Sequence, residues 1–153
     1  MIGFPVAGRS APGSECLVAY CSHLLPLRSS FGYLAFVEYL ARVRARLLEA
    51  YEHQDHPFAK LIETLNPVRA PSRPPIVNAT FNMERSIGLQ PLHKLTAELL
   101  PPPVSSTEHD LHLNVTEIHG KLLIDFVYNT GFDAITARRI LGHYRTLPLA
   151  GGT

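Results

Sequence analysis

Asp110-Leu111-His112-Leu113-Asn114-Val115-Thr116-Glu117-Ile118-His119-Gly120-Lys121-Leu122-Leu123-Ile124-Asp125-Phe126-Val127-Tyr128 reads as two strands folded back at His119-Gly120. A two-residue turn there sets Glu117 opposite Leu122, Val115 opposite Ile124, Leu113 opposite Phe126 and Leu111 opposite Tyr128. All four pairs fall on one face, and three of them are apolar on both strands. The other face carries His112, Asn114, Thr116 and Asp125. A slip of one residue would turn the apolar set to solvent, so each strand fixes the register of the other.

Downstream of this hairpin, Asp133 caps a helix running to about Leu147, with Ala137, Ile140, Leu141, Tyr144 and Leu147 as its apolar stripe. Upstream, Tyr33 to Tyr51 is a longer helix. Phe36, Leu40, Val43, Leu47 and Ala50 recur at spacings of four and three, while Glu38, Arg42, Arg46 and Glu49 fall outside that stripe. Asp55-His56-Pro57-Phe58 opens a short helix that buries Phe58, Leu61, Ile62 and Leu65, and Asn66-Pro67 ends it. Ile2 to Ala7 is a strand running into the turn-rich Gly8 to Gly13, and Leu17 to Cys21 is a second strand candidate. Pro26 confines Leu24 to Arg28 to a sheet edge or an irregular extended run. Val68 to Pro75 is a proline-rich connector and Ile76 to Met83 a further strand. Glu84 to Ser106 is mostly irregular, with a short strand candidate at Leu95 to Leu100 and a Pro101-Pro102-Pro103 spacer. Strands mixed with helices predict an α/β chain, a two-layer α+β sandwich with helices packed on a sheet.

At 153 residues the chain is one domain or part of one, able to bury about 70% of its unfolded surface. A hydrophobic content of 46% and a mean hydropathy of +0.05 exclude disorder. Lys and Arg total 14 against 13 Asp and Glu, so there is no basic excess of the kind nucleic-acid binding needs. His23, Pro26 and Arg28 interrupt the best apolar run well short of the roughly 20 residues of a membrane span. Met1 to Gly13 lacks the charged start and apolar core of a secretion signal, and two cysteines make neither a disulfide framework nor a four-ligand zinc site. A soluble, cytoplasmic chain is expected.

The residues that invite chemistry have plainer explanations. His53 and His56 flank Asp55, but no third metal ligand is nominated, and helix capping with surface exposure accounts for the cluster. His109 and His112 are spaced to point to opposite faces of a strand. Ser10, in Gly8-Arg9-Ser10-Ala11-Pro12, misses the nucleophile-elbow pattern because the second glycine is displaced, which leaves a turn. Cys16 and Cys21 read as small buried apolar residues. Arg42, Arg44 and Arg46, flanked by Glu38 and Glu49, read as a solvated helix face. The sequons at Asn78 and Asn114 fall in predicted strands. No catalytic, metal or cofactor constellation is complete.

The ordered motifs nevertheless resemble one family, the condensation domains of non-ribosomal peptide synthetases. Gly3-Phe4-Pro5-Val6-Ala7-Gly8-Arg9 is similar to its strand and Ala-Gly-Arg turn. Val18 to Arg28 is similar to its Ile-Gly-x-Phe-Val-Asn-Thr-x-x-x-Arg motif. Ala50-Tyr51-Glu52-His53-Gln54-Asp55-His56-Pro57-Phe58 matches Ala-x-x-His-x-Asp-x-Pro-Phe and is the most specific piece. Arg73 to Asn78, His109-Asp110-Leu111-His112-Leu113 and Tyr128 to Asp133 resemble the closing segments. Ala19, His23 and Asn78 depart from the family's glycine, asparagine and glutamine.

The resemblance implies the C-terminal part of the second of two chloramphenicol-acetyltransferase-like lobes, with helices on a mixed sheet. Residues 1–149 would be that portion and 150–153 a tail. The family's His-His-x-x-x-Asp-Gly motif belongs to the first lobe and has no counterpart here, so the chain looks like a truncated piece or the product of a split or decayed gene. A complete domain would join carrier-bound acyl and aminoacyl thioesters by an amide bond; this chain alone would be inactive. Its partners would be peptidyl or acyl carrier proteins and the N-terminal lobe, with phosphopantetheine on the carriers and no cofactor bound directly. Arg9, Arg28, His53, Asp55, Pro57, Phe58 and Asp110 are the family-motif positions, with mainly structural roles: ion pairing for Arg28 and helix capping for Asp55. By the same resemblance, Glu84 to Ser106 would form an arm crossing to the other lobe. Two rival readings stand beside this one: part of an epimerisation or cyclisation variant, and a non-catalytic module that binds a carrier or a partner lobe.

Overall fold

Among the residues described by the computed structural model (1–30, 32–69, 73–85, 107–118 and 120–150), the chain forms two strands, two α-helices, three further strands and a last α-helix, in that order. They are β1 (Ile2–Val6), β2 (His23–Leu27), α1 (Phe36–Glu52), α2 (Phe58–Leu65), β3 (Ala79–Arg85), β4 (Leu111–Ile118), β5 (Lys121–Tyr128) and α3 (Ala134–Ala150). The strands form one mixed sheet in the order β2-β1-β3-β4-β5, antiparallel at both ends and parallel on either side of β3.

The hairpin forms in the register read from the sequence, with Val115 opposite Ile124 and Leu113 opposite Phe126. Val115 is 2% exposed, and burial of such a side chain is worth about 1.5–3 kcal/mol. At the other end, β1 and β2 pair from Ile2 opposite Leu27 to Val6 opposite His23, which makes β2 an edge strand that tolerates Pro26. Phe4, Val6 and Leu25 form a buried cluster against which Leu27, Leu47 and Ala50 pack. Tyr51 closes it edge-on to Phe4, with ring centroids 5.5 Å apart.

Val43, Leu47 and Tyr51 of α1 line one cavity together with Ile140 and Tyr144 of α3, so both helices stand on the same face of the sheet. Only the C-terminal half of the α1 stripe reaches its core. Phe36 and Leu40 stay 41% and 50% exposed and lie outside the cluster that Leu47 and Ala50 join. In α3, Ala137 is buried and Asp133 caps the first turn by accepting a 2.7 Å bond from the Thr136 amide. Asn66 ends α2 in the left-handed region, its amide returning to the Ile62 carbonyl.

Four expectations are corrected. Leu17–Cys21 forms no strand: a single 3₁₀ turn over Ser14–Cys16 leads into an irregular run in which Val18 and Tyr20 are fully exposed. The cause is Arg9, whose guanidinium donates to the carbonyls of Ser14, Leu17 and Ala19 that a sheet would have used. Cys16, accordingly, is exposed and Cys21 half-buried, so neither is a core residue. The third strand begins at Ala79 rather than Ile76, because Ile76 sits at a positive φ of 70° inside a tight turn after Pro75. The expected strand at Leu95 to Leu100 and the Pro101-Pro102-Pro103 spacer lie outside the described residues. Glu84 and Arg85, expected to be irregular, complete β3.

Candidate functional site

Segments far apart in the chain meet at two junctions, which take the motif positions other than Arg28. At the first, the Gly8-Arg9-Ser10 turn meets the residues between α1 and α2. The Ser10 hydroxyl donates to the Asp55 carboxylate, and the His23 imidazole donates from Nε2 to the Gln54 carbonyl at 2.6 Å. Asp55 thus ties two loops and does not cap α2, whose N-cap is Pro57 with no side-chain bond. Gly8 permits this approach: its φ is +62°, and a Cβ there would lie 2.1 Å from the Cys21 carbonyl oxygen. Pro57 and Phe58 launch α2, with Phe58 half-buried.

At the second junction, the Asp110 amide donates to the Asn78 carbonyl and the Asn129 amide donates to the Asp110 carbonyl, both at 2.9 Å. The Asp110 carboxylate, 18% exposed, lies 3.6 Å from the Arg73 guanidinium. Asp110 therefore holds the entries to β3 and β4 and the exit from β5.

One face of the sheet carries a polar ladder that the parallel pairing of β3 with β4 creates. Thr80, 5% exposed, shares a 2.7 Å hydrogen bond with His112 Nδ1. Asn82 donates to Asn114 Oδ1 at 2.8 Å, and Asn114 and Thr116 both donate to Glu84 at 3.4 Å. Burial, and then the neighbouring charge of His109, hold the His112 imidazole below its ordinary pKa, against a smaller opposing pull from Asp125. His109 lies just before β4 rather than on it, so the expectation that His109 and His112 point to opposite faces of one strand does not hold. No group of three metal-ligating side chains occurs among the described residues. Reading the sequence does not single out Thr80, Asn82 and Glu84. Their alternation with Ala79, Phe81 and Met83 is the signal that could have found them.

Two clefts of similar size flank α1. One, of about 600 Å³, is an apolar groove between α1 and α3 floored by Phe4, Phe81, Leu113 and Phe126. The other, of about 610 Å³, lies between the end of β2 and the outer face of α1, and receives Arg28 and His53 among the motif positions. Arg28 makes no ion pair among the described residues, contrary to the pairing expected of it. No helix among the described residues is long and apolar enough to cross a membrane.

The family profile described as "Condensation domain" matches residues 1–149. One of the linear gramicidin synthase proteins of Brevibacillus parabrevis is 36% identical over 153 residues, covering 96% of this chain and 3% of the synthase. The X-domain from teicoplanin biosynthesis superposes with a TM-score of 0.77 at 25% identity, covering 90% of this chain and 34% of that one. The condensation domain of the monacolin K polyketide synthase MokA gives a TM-score of 0.73 at 20% identity, with 94% and 34% covered. The chain thus spans about a third of each solved domain and a few per cent of the synthase. A mixed five-stranded sheet with α1 and α3 on one face, motif segments tied at two junctions, and a profile match over residues 1–149 place the chain in the condensation-domain family, as found in non-ribosomal peptide synthetases.

Proposed function

We propose that residues 1–149 are the C-terminal portion of the second lobe of a condensation domain. The complete domain joins two carrier-bound groups. The amine of an aminoacyl thioester attacks an acyl thioester carbonyl, the C–N bond forms, the C–S bond breaks, and the departing thiol keeps the proton the amine loses. The partners are acyl or peptidyl carrier proteins, whose phosphopantetheine arms present the groups, together with the N-terminal lobe, all in the cytoplasm. The motif positions of this portion chiefly fasten the lobe, and its contribution to the reaction is positioning.

One observation carries this reading: residues 1–149 match the family yet contain no His-His-x-x-x-Asp-Gly, the motif that supplies the family's acid–base group. The purified chain given loaded donor and acceptor carriers is expected to release no amide product. Product formed by the chain alone overturns the reading.

The likeness to the X-domain of teicoplanin biosynthesis, which forms a complex with OxyB, favours a second reading: a non-catalytic module that binds a protein partner. A part of an epimerisation or cyclisation variant is the remaining alternative. Carrier binding without turnover, even with the N-terminal lobe supplied, would select the binding module.

A further inference from the structure

The sheet is open at its middle. β1 pairs with β2 along all five of its residues, and β3 with β4 along all seven. The two inner strands meet only where Ile2 lies opposite Ala79 and Gly3 opposite Thr80. Beyond that point, residues 4–6 of β1 and 81–85 of β3 have no partner on their facing edges among the described residues. Pro5 brings no N–H to the join. Successive residues of a strand turn their N–H and C=O to opposite edges, so every second residue of 81–85 directs both groups into the gap. No hydrogen bond from a turn, a loop or a side chain reaches those groups among the described residues.

A free edge is a template for another strand. The outer edges of the sheet are guarded, by Pro26 on β2 and by Lys121 and Asp125 on β5. Residues 81–83 carry neither charge nor proline. The two faces of the gap also differ. On one lies the apolar groove of about 600 Å³, to which Phe4, Pro5, Phe81 and Met83 contribute beside the gap. On the other lies the polar ladder, because Asn82 and Glu84 alternate with Phe81 and Met83. A strand seated there turns successive side chains to opposite faces, one set into the groove and the other toward the ladder. A helix keeps its amides within itself and cannot satisfy such an edge.

We infer that the gap between β1 and β3 is a docking site for an extended segment of a partner polypeptide, one in which apolar and polar side chains alternate, added as a strand to residues 81–85. Main-chain hydrogen bonds to β3 supply the affinity, and the groove selects the apolar positions. The inference needs neither a carrier nor a second lobe, so it stands or falls apart from the catalytic reading.

The test titrates the full chain with the synthetic peptide acetyl-Lys-Val-Thr-Val-Thr-Val-Lys-amide, following backbone amides by NMR. The largest shifts are expected at residues 81–85 and 4–6, with the outer strands β2 and β5 little changed. Two further peptides carry N-methyl groups along one edge or the other, and the one blocked toward β3 is expected not to bind. Met83→Lys, at an exposed position beside the gap, is expected to weaken binding about tenfold with unchanged circular dichroism, and Met83→Leu to preserve it. Leu122→Lys, equally exposed on β5, should leave binding unchanged. If both N-methylated peptides bind like the parent, no strand is added and the inference is overturned. Equal losses in Met83→Lys and Leu122→Lys would mean general apolar attraction and overturn it too. So would an absence of binding, or shifts confined to β2 or β5. Dimerisation of the chain through residues 81–85 without peptide would give the gap to a second copy and overturn the choice of occupant.

Discussion

Replacing Gly8 with alanine tests the packing of the first junction, and its cost follows from two independent terms. The backbone there has φ +62°, where a Cβ costs about 1–2 kcal/mol. The new Cβ would also sit 2.1 Å from the Cys21 carbonyl oxygen, when ordinary contact begins at 3.4 Å. Backbone must therefore give way by more than an ångström, and overpacking of this kind costs about 1–3 kcal/mol. The expected total is about 2–5 kcal/mol. Gly13 separates the two terms, because its φ is +84° with nothing within 4 Å of the Cβ position. Gly13→Ala is expected to carry only the backbone cost, about 1–2 kcal/mol. Urea unfolding followed by circular dichroism reads the difference. With a slope of about 1–3 kcal/mol per molar, the Gly8 variant should unfold roughly 1 M earlier than the Gly13 variant. Equal midpoints would refute the reasoning and leave the Cys21 carbonyl free to move.

Two further expectations concern protonation. His112 is held below its usual pKa of 6.5 by burial and then by His109, so as pH falls the unfolded chain takes up the proton first. Stability should decline from about pH 6.5 down to the folded pKa, and His112→Gln should flatten that decline in urea midpoints; a variant keeping the full slope contradicts the assignment. Asp133 is likewise held below its ordinary value, by hydrogen bonds from the backbone and then the hydroxyl of Thr136. Its support for α3 is present above the unfolded pKa and disappears as pH falls through the folded one. Asp133→Ala should reduce the helical signal at neutral pH and Asp133→Asn, which still accepts the Thr136 amide, should restore most of it; equal loss in both would place the effect in charge rather than in the cap.

The parts of the fold legible in the sequence are those fixed by local periodicity. The β4–β5 register follows from paired apolar positions on either side of one turn, and α1, α2 and α3 from stripes and end signals that need no distant partner. The joins of β3 to β1 and β4 bring together residues about thirty or more positions apart, and no period encodes them. The polar ladder and the Thr80–His112 bond depend on those joins and are hidden with them. Arg9 shows the other limit. A side chain that gathers three carbonyls replaces a strand that propensity alone predicts at Leu17–Cys21. Asp55 is recognisable as a motif residue, but its Ser10 partner, 45 positions away, is not readable from the chain.

The sheet has an uneven seam. β3 pairs with β4 along its whole length, from Ala79 opposite Leu111 to Arg85 opposite Glu117, whereas β1 meets β3 only through Ile2 opposite Ala79 and Gly3 opposite Thr80. Two-stranded ribbons are marginal in water, while three strands with an apolar face can persist. The β3-β4-β5 half is therefore the more durable cooperative unit, and the β1-β2 pair, with the segment tied to it by His23 and Ser10, is the part that opens first. Amide exchange would then run faster in β1 and β2 than in β4, and any strand that lengthened the contact with β1 would slow exchange across the whole β1-β2 half at once.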